Sequence, residues 1–141
     1  MRRRHFSTLL FATLLHRAFA ATAEAKTESV TGALVQHDHA PATLRTQDGH
    51  VITLSGDEET EKVLHDPRLA NVQLEALGRF TSPEQFAIEP RFEKNMFVHK
   101  DGKRLLITYW CDICSIRTYA PGVCVCCQKW TDLDLQDPNQ K

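Results

Sequence analysis

Between residues 27 and 110 the hydrophobic positions recur mainly at every second residue, the spacing of half-buried strands. Val30, Leu34 and Val35 mark a first strand over residues 29–36. Residues 42–46 and 50–54 flank Gln47-Asp48-Gly49, and an Asp-Gly pair between β-prone runs signals a hairpin. Val72, Leu74, Ala76, Gly78 and Phe80 alternate with Gln73, Glu75, Leu77 and Arg79, which predicts a strand over 72–80. Phe86 and Ile88 mark a short strand limited by Pro90. Residues 96–99 and 103–110 flank Asp101-Gly102, a second hairpin. On its second arm both alternating faces are apolar, so that strand is expected to be central or covered on both sides.

The pattern breaks once. Ser55 and Asp57 are each placed to cap a helix that begins with Asp57, Glu58 and Glu59, where acidic residues complement the helix dipole. Pro67 ends it, because the residue before a proline avoids helical geometry. A short helix over roughly residues 57–65 is predicted, with Asp66-Pro67-Arg68 as its stop. The C-terminal residues 131–141 are polar and are expected to form a flexible, frayed tail.

Three strands, a helix and two further strands are the element order of the oligonucleotide/oligosaccharide-binding (OB) barrel, in which the helix plugs the barrel base. Residues 27–92 resemble that fold through element order alone. The expected architecture is therefore mainly β: an OB-like five-stranded barrel with one short helix, plus a C-terminal hairpin and a cysteine metal knuckle. A small β-sandwich is the alternative. The barrel and its hairpin would occupy residues 27–110. A binding function does not follow from the fold. The formal net charge of −1 supplies no basic field for nucleic acid, and aromatic residues on which bases could stack are few.

The N-terminus has the layout of a secretory signal peptide over residues 1–20. Arg2, Arg3 and Arg4 form a basic segment, residues 6–15 are mostly apolar, and Ala18-Phe19-Ala20 is a small-x-small cleavage pattern. The apolar run is too short to span a bilayer, so no membrane span is expected after cleavage. Residues 21–26 read as a linker. Arg3-Arg4-His5-Phe6 resembles a twin-arginine export signal, although three arginines also serve the general pathway. The twin-arginine resemblance implies export of an already folded chain, with any metal loaded in the reducing cytoplasm. Either route predicts a periplasmic or secreted protein.

All five cysteines lie between residues 111 and 127. Cys111 and Cys114 form one C-x2-C turn. Cys124 and Cys127 form a second, nine residues later, with Cys126 inside it. Two such turns supply the four sulfurs of a closed tetrahedral zinc site. Residues 111–130 resemble zinc-knuckle and rubredoxin-like ribbons, in which two such turns face each other. Pro121-Gly122 supplies a bend before the second turn. The connection is shorter than the ~15–20 residues of common ribbons, and Cys126 is an alternative ligand. Four readings compete: structural zinc on Cys111, Cys114, Cys124 and Cys127; disulfides, common in exported proteins; a functional iron or copper(I) site; and a thiol-exchange site. An odd cysteine count weighs against disulfides, and the absence of a βαβ context weighs against thiol exchange. Covalent c-type haem is excluded, since Ser115 and not histidine follows Cys114. The segment holds few large apolar residues, so a metal or cross-links would be needed to fix it.

His37 and His39 are a possible secondary metal pair, since i and i+2 on a strand share a face. A polar loop leading into Pro41 is the favoured explanation, since no third ligand is evident nearby. No Ser-His-Asp set, phosphate loop or H-E-x-x-H helix is present, so nothing argues for an enzyme. The whole pattern resembles small exported proteins, of no established activity, that join an OB-like body to a C-terminal cysteine cluster. The expected function is a non-catalytic binding or structural module stabilised by zinc. Its partner is unknown from sequence, with an envelope protein as the expected class. The rivals are a periplasmic metal-handling or electron-transfer protein using iron or copper, and a thiol-redox protein.

Overall fold

A computed structural model describes residues 26–140. The leader and nearly all of the linker expected from sequence lie outside the described residues. Five strands close a barrel: β1 (Glu28–His37), β2 (Ala40–Arg45), β3 (Val51–Ser55), β4 (Gln73–Ser82) and β5 (Gln85–Ile88). Around the ring, β1 pairs antiparallel with β2 and β2 with β3. β3 then runs parallel to β5, β5 pairs with β4, and β4 returns to β1. This is the OB-like barrel; the sandwich alternative does not form.

Closure requires β1 and β4 each to serve two neighbours. The first half of β1 pairs with β4 and the second half with β2. Gly32 stands at that changeover, where an added Cβ would fall 2.4 Å from the Arg45 carbonyl oxygen. At Gly78, where β4 turns from β1 to β5, a Cβ would fall 2.0 Å from the Ala87 oxygen. Both positions exclude any side chain because two backbones approach there.

The alternating residues Val30, Leu34, Leu44, Ile52, Leu54, Leu74, Ala76, Phe86 and Ile88 fill the interior. Helix α1 (Glu58–Leu64) adds Val63 and Leu64 to that core. Of the two caps expected, Asp57 serves: its side chain accepts from the Thr60 amide at 2.9 Å. The expected stop becomes a 3-10 turn at Pro67–Leu69, with Asp66 as its N-cap.

A short helix α2 (Phe92–Asn95), unseen in the sequence pattern, leads into β6 (Met96–Lys100) and β7 (Lys103–Cys111). Asp101 and Gly102 both take positive φ, as a tight hairpin turn demands. At Asp48-Gly49 only the glycine does, and the amide and side chain of Thr46 both reach the His50 carbonyl. β6 adds to β4, so the sheet continues out of the barrel. β7 is central, with β6 and β8 (Ile116–Thr118) along one side and β9 (Asp132–Gln136) along the other. Its Ile107, Thr108 and Tyr109 are all buried.

β9 corrects one expectation. Residues 132–136 do not fray: Leu133 and Leu135 pack against the core, and the strand pairs with β7 from Leu106 to Trp110. The strand is half-buried, but only Leu133 and Leu135 are apolar, so its local pattern reads as a polar tail. Among the described residues, no helix is long and apolar enough to cross a membrane.

Candidate metal centre

β7 ends by placing Cys111 in a buried position. The chain turns through Asp112 to Ser115 and returns as β8, with Cys111 opposite Ile116. The first C-x2-C is thus the tip of a hairpin. The second repeats the design on a smaller scale. Val123 bridges Trp130, the Cys124 amide donates to Lys129 O at 2.7 Å, and the Gln128 amide donates to Cys124 O at 2.9 Å. Each turn is closed by a non-glycine residue with positive φ directly after its second cysteine, Ser115 at 53° and Gln128 at 59°.

The two hairpin tips face each other. The Sγ atoms of Cys111, Cys114, Cys124 and Cys127 all lie within 4.8 Å of one another, with Cys111 and Cys127 at 3.5 Å. Four thiolates bound tetrahedrally at about 2.3 Å from an ion stand about 3.8 Å apart, so the set is the right size for one metal ion. Cys126 is exposed and outside the group of four. The outer cysteines of the two turns are therefore the four that converge, with Cys126 beside them in the chain but outside the group.

Backbone amides point at the first sulfur of each turn. Those of Cys127 and Cys126 reach Cys124 Sγ and lower its pKa to about 7. At Cys111 the Cys114 amide works in the same direction, but burial and the neighbouring thiols of Cys127 and Cys124 outweigh it, and the pKa is raised. Cys114 is raised too, by the thiol of Cys126 first and then by burial. Crowded thiols resist losing several protons together. A cation held among them would remove that resistance, so binding of a metal would release protons.

The knuckle is tied to the barrel by a polar chain invisible in the sequence pattern. Buried Asp66 accepts from Arg68 Nε at 2.9 Å and Nη2 at 2.8 Å, and Arg68 Nη1 donates to Thr131 O at 2.7 Å. Thr131 Oγ1 in turn donates to Gly122 O at 2.9 Å, at the base of the second hairpin. The only signal was Asp66-Pro67, a cap that looked sufficient as a helix stop.

The two histidines are not drawn together with a third ligand among the described residues. β1 ends at His37, whose Nε2 lies 3.0 Å from Thr43 Oγ1, and His39 sits in the following turn at φ 58°. The shared strand face that would have made them a pair does not form.

Several large apolar side chains of the cysteine segment stand in solvent. Ile113 is 67% exposed, Val125 81% and Trp130 74%, with Tyr119 and Val123 beside them in the chain and also exposed. No family model, curated protein or solved structure matches this chain.

Proposed function

We propose that this chain is an exported, non-catalytic binding or structural module whose C-terminal arm is organised by one zinc ion on Cys111, Cys114, Cys124 and Cys127. The convergence of four sulfurs on one point carries the metal half of this reading. Zinc is favoured because it asks only for a closed tetrahedral thiolate set and contributes folding energy to a segment with little core of its own. The export half draws on the basic, apolar and small-x-small segments of residues 1–20. The binding half draws on Ile113, Val125 and Trp130, large apolar side chains left in solvent within one short segment, since exposed apolar surface on a small protein marks contact sites. An envelope protein is the partner class consistent with that address.

Iron for electron transfer, or copper(I) for metal handling, uses the same sulfurs. The half-exposed Cys114 and Cys127 favour that reading to a degree, since they bring the centre near the surface. Elemental analysis by mass spectrometry with a free-thiol count separates the readings. One zinc per chain, with thiols that titrate only after chelation, is the expected result. A visible thiolate-to-iron absorption band would favour electron transfer. A metal-free protein with four oxidised cysteines would overturn the metal centre.

A further inference from the structure

We propose that His65 is a pH-operated latch, whose imidazolium ties the end of α1 to the turn between β1 and β2 and frees that turn when the proton leaves. His65 is the residue that ends the helix. Its Nδ1 lies 2.9 Å from Glu61 O and its Nε2 3.1 Å from Ala40 O. A backbone carbonyl only accepts, so both ring nitrogens must carry hydrogen for both bonds to form. That species is the imidazolium, and neither neutral tautomer can replace it.

The surroundings decide which bond is lost. On α1 the Glu61 carboxylate stands 3.7 Å from Nδ1, on the same side of the ring as the Glu61 carbonyl. A lone pair on Nδ1 would face both, so the neutral ring keeps its hydrogen there and turns the Nε2 lone pair toward Ala40 O. The tie between helix and turn then becomes a repulsion. The other charged groups nearby leave this choice intact. Lys62 is held by Glu58 and Glu59, Asp66 binds Arg68 and Tyr109, and His37 meets Thr43. In the turn itself, Asp38 favours the imidazolium and a charged His39 opposes it.

The folded chain holds this proton above the ordinary histidine value, through the Glu61 carbonyl first and the Ala40 carbonyl second, against the opposing effect of burial. A raised pKa gives stability that is full below about pH 6.5 and fades as the pH rises through the folded value. Release is local. Gln36 of β1 donates to Leu64 O at 2.8 Å and to Asp66 O at 2.7 Å, bonds that no proton controls. β1 therefore stays tied to the helix end while the turn after it moves. His65 and His39 both line a cavity of about 590 Å³ with Pro41, Thr53 and Gln85, and another of about 560 Å³ with Gln36 and Asn71. Freeing the turn joins two cavities that the latch keeps apart.

The test follows the histidine ring nitrogens by NMR on the whole isotope-labelled chain, between about pH 5 and about pH 9. H65Q identifies the His65 signals. H39N removes the competing charge and keeps a residue type that tolerates the left-handed backbone of the turn. In wild type, both His65 nitrogens should carry hydrogen at the acid end, and Nε2 should lose its own with a midpoint above about pH 6.5. The backbone amides of residues 38–40 should follow that midpoint in wild type and H39N and lose that transition in H65Q. The nuclear Overhauser contact between the ring and Ala40, which also assigns His65 without any variant, should disappear above the midpoint. A midpoint at or below the ordinary value, loss of hydrogen from Nδ1 instead, or turn amides that ignore the His65 midpoint would overturn the latch.

Discussion

Tyr109 donates a 2.9 Å hydrogen bond to Oδ2 of Asp66, joining the middle of β7 to the turn that follows α1. The phenol is completely buried, and the carboxylate nearly so. Burial and the adjacent carboxylate push the tyrosine pKa above its ordinary range, so it remains a donor at any working pH. This bond unites two parts of the fold that the strand order alone leaves separate. The plug helix end meets the strand that delivers Cys111.

Replacing Tyr109 with Phe removes that bond and leaves Asp66 with Arg68 and the Arg68 amide. A hydrogen bond to a charged group contributes about 1.5–3 kcal/mol. Because Asp66 retains other donors, Y109F is expected near the lower end, about 1.5 kcal/mol. Urea denaturation followed by circular dichroism measures it. An unchanged midpoint would mean that the phenol does not bind the carboxylate.

Acid should weaken the same junction. Burial alone would raise the Asp66 pKa, but the hydrogen bonds from Arg68 and Tyr109 outweigh it and hold the carboxyl below its ordinary value. Glu75 follows the same pattern, held down by His99 at 2.6 Å and by Arg104. A depressed carboxyl contributes stability that is present above its unfolded pKa, about 4, and is lost as the pH falls through the folded value. The penalty of D66N relative to wild type is therefore expected to be full above pH about 5 and to shrink below about 4. Comparing the two proteins in urea at each pH cancels the acid loss of metal common to both. A penalty independent of pH would show that Asp66 is not ionised in the fold.

The barrel was legible because its determinants are local. Alternation at Val72 to Phe80, the Asp-Gly turns and the Asp57 cap each specify an element without reference to the rest of the chain. The outer cysteines were legible for the same reason, since C-x2-C is a local turn. What escaped reading was set by distant partners. β9 exists because β7 offers a free edge to Leu133 and Leu135. Asp66 matters because Tyr109 lies 43 positions away in sequence. His39 is off the strand face of His37 because β1 ends at His37, where the turn into β2 begins.

Glycine should improve both knuckle turns. Ser115 and Gln128 occupy left-handed backbone, which costs a residue with a Cβ about 1–2 kcal/mol and glycine much less. S115G loses no side-chain bond found in the structure, whereas Q128G gives up a 3.3 Å contact to Val125 O. Glycine also raises the entropy of the unfolded chain, so a net gain of about 0.5 kcal/mol is expected for S115G and less for Q128G. Competition with a graded chelator reads this as slower metal loss. A faster loss from S115G would mean that the turn relaxes out of the left-handed region once the metal is bound.

Chelation should unfold one part of the molecule and spare the other. The barrel core of Leu34, Leu44, Leu54, Leu74 and Phe86 contains no cysteine. Within 112–131, by contrast, the buried side chains are those of Cys124 and Thr131, so removing the metal leaves this segment with little to offset its chain entropy. β9 is the deciding element. It holds to β7 through its own ladder and through Leu133 and Leu135, and Arg68 anchors Thr131 just before it. Hydrogen exchange on the metal-free protein is therefore expected to show lost protection at Cys124, Gln128 and the β8 ladder. Protection should persist through β1 to β5 and along β7 opposite β9. Loss of β9 protection as well would make the metal, and not the Arg68–Thr131 link, the clasp that holds the C-terminal strand on the sheet. Unchanged exchange throughout would mean that no metal organises the knuckle.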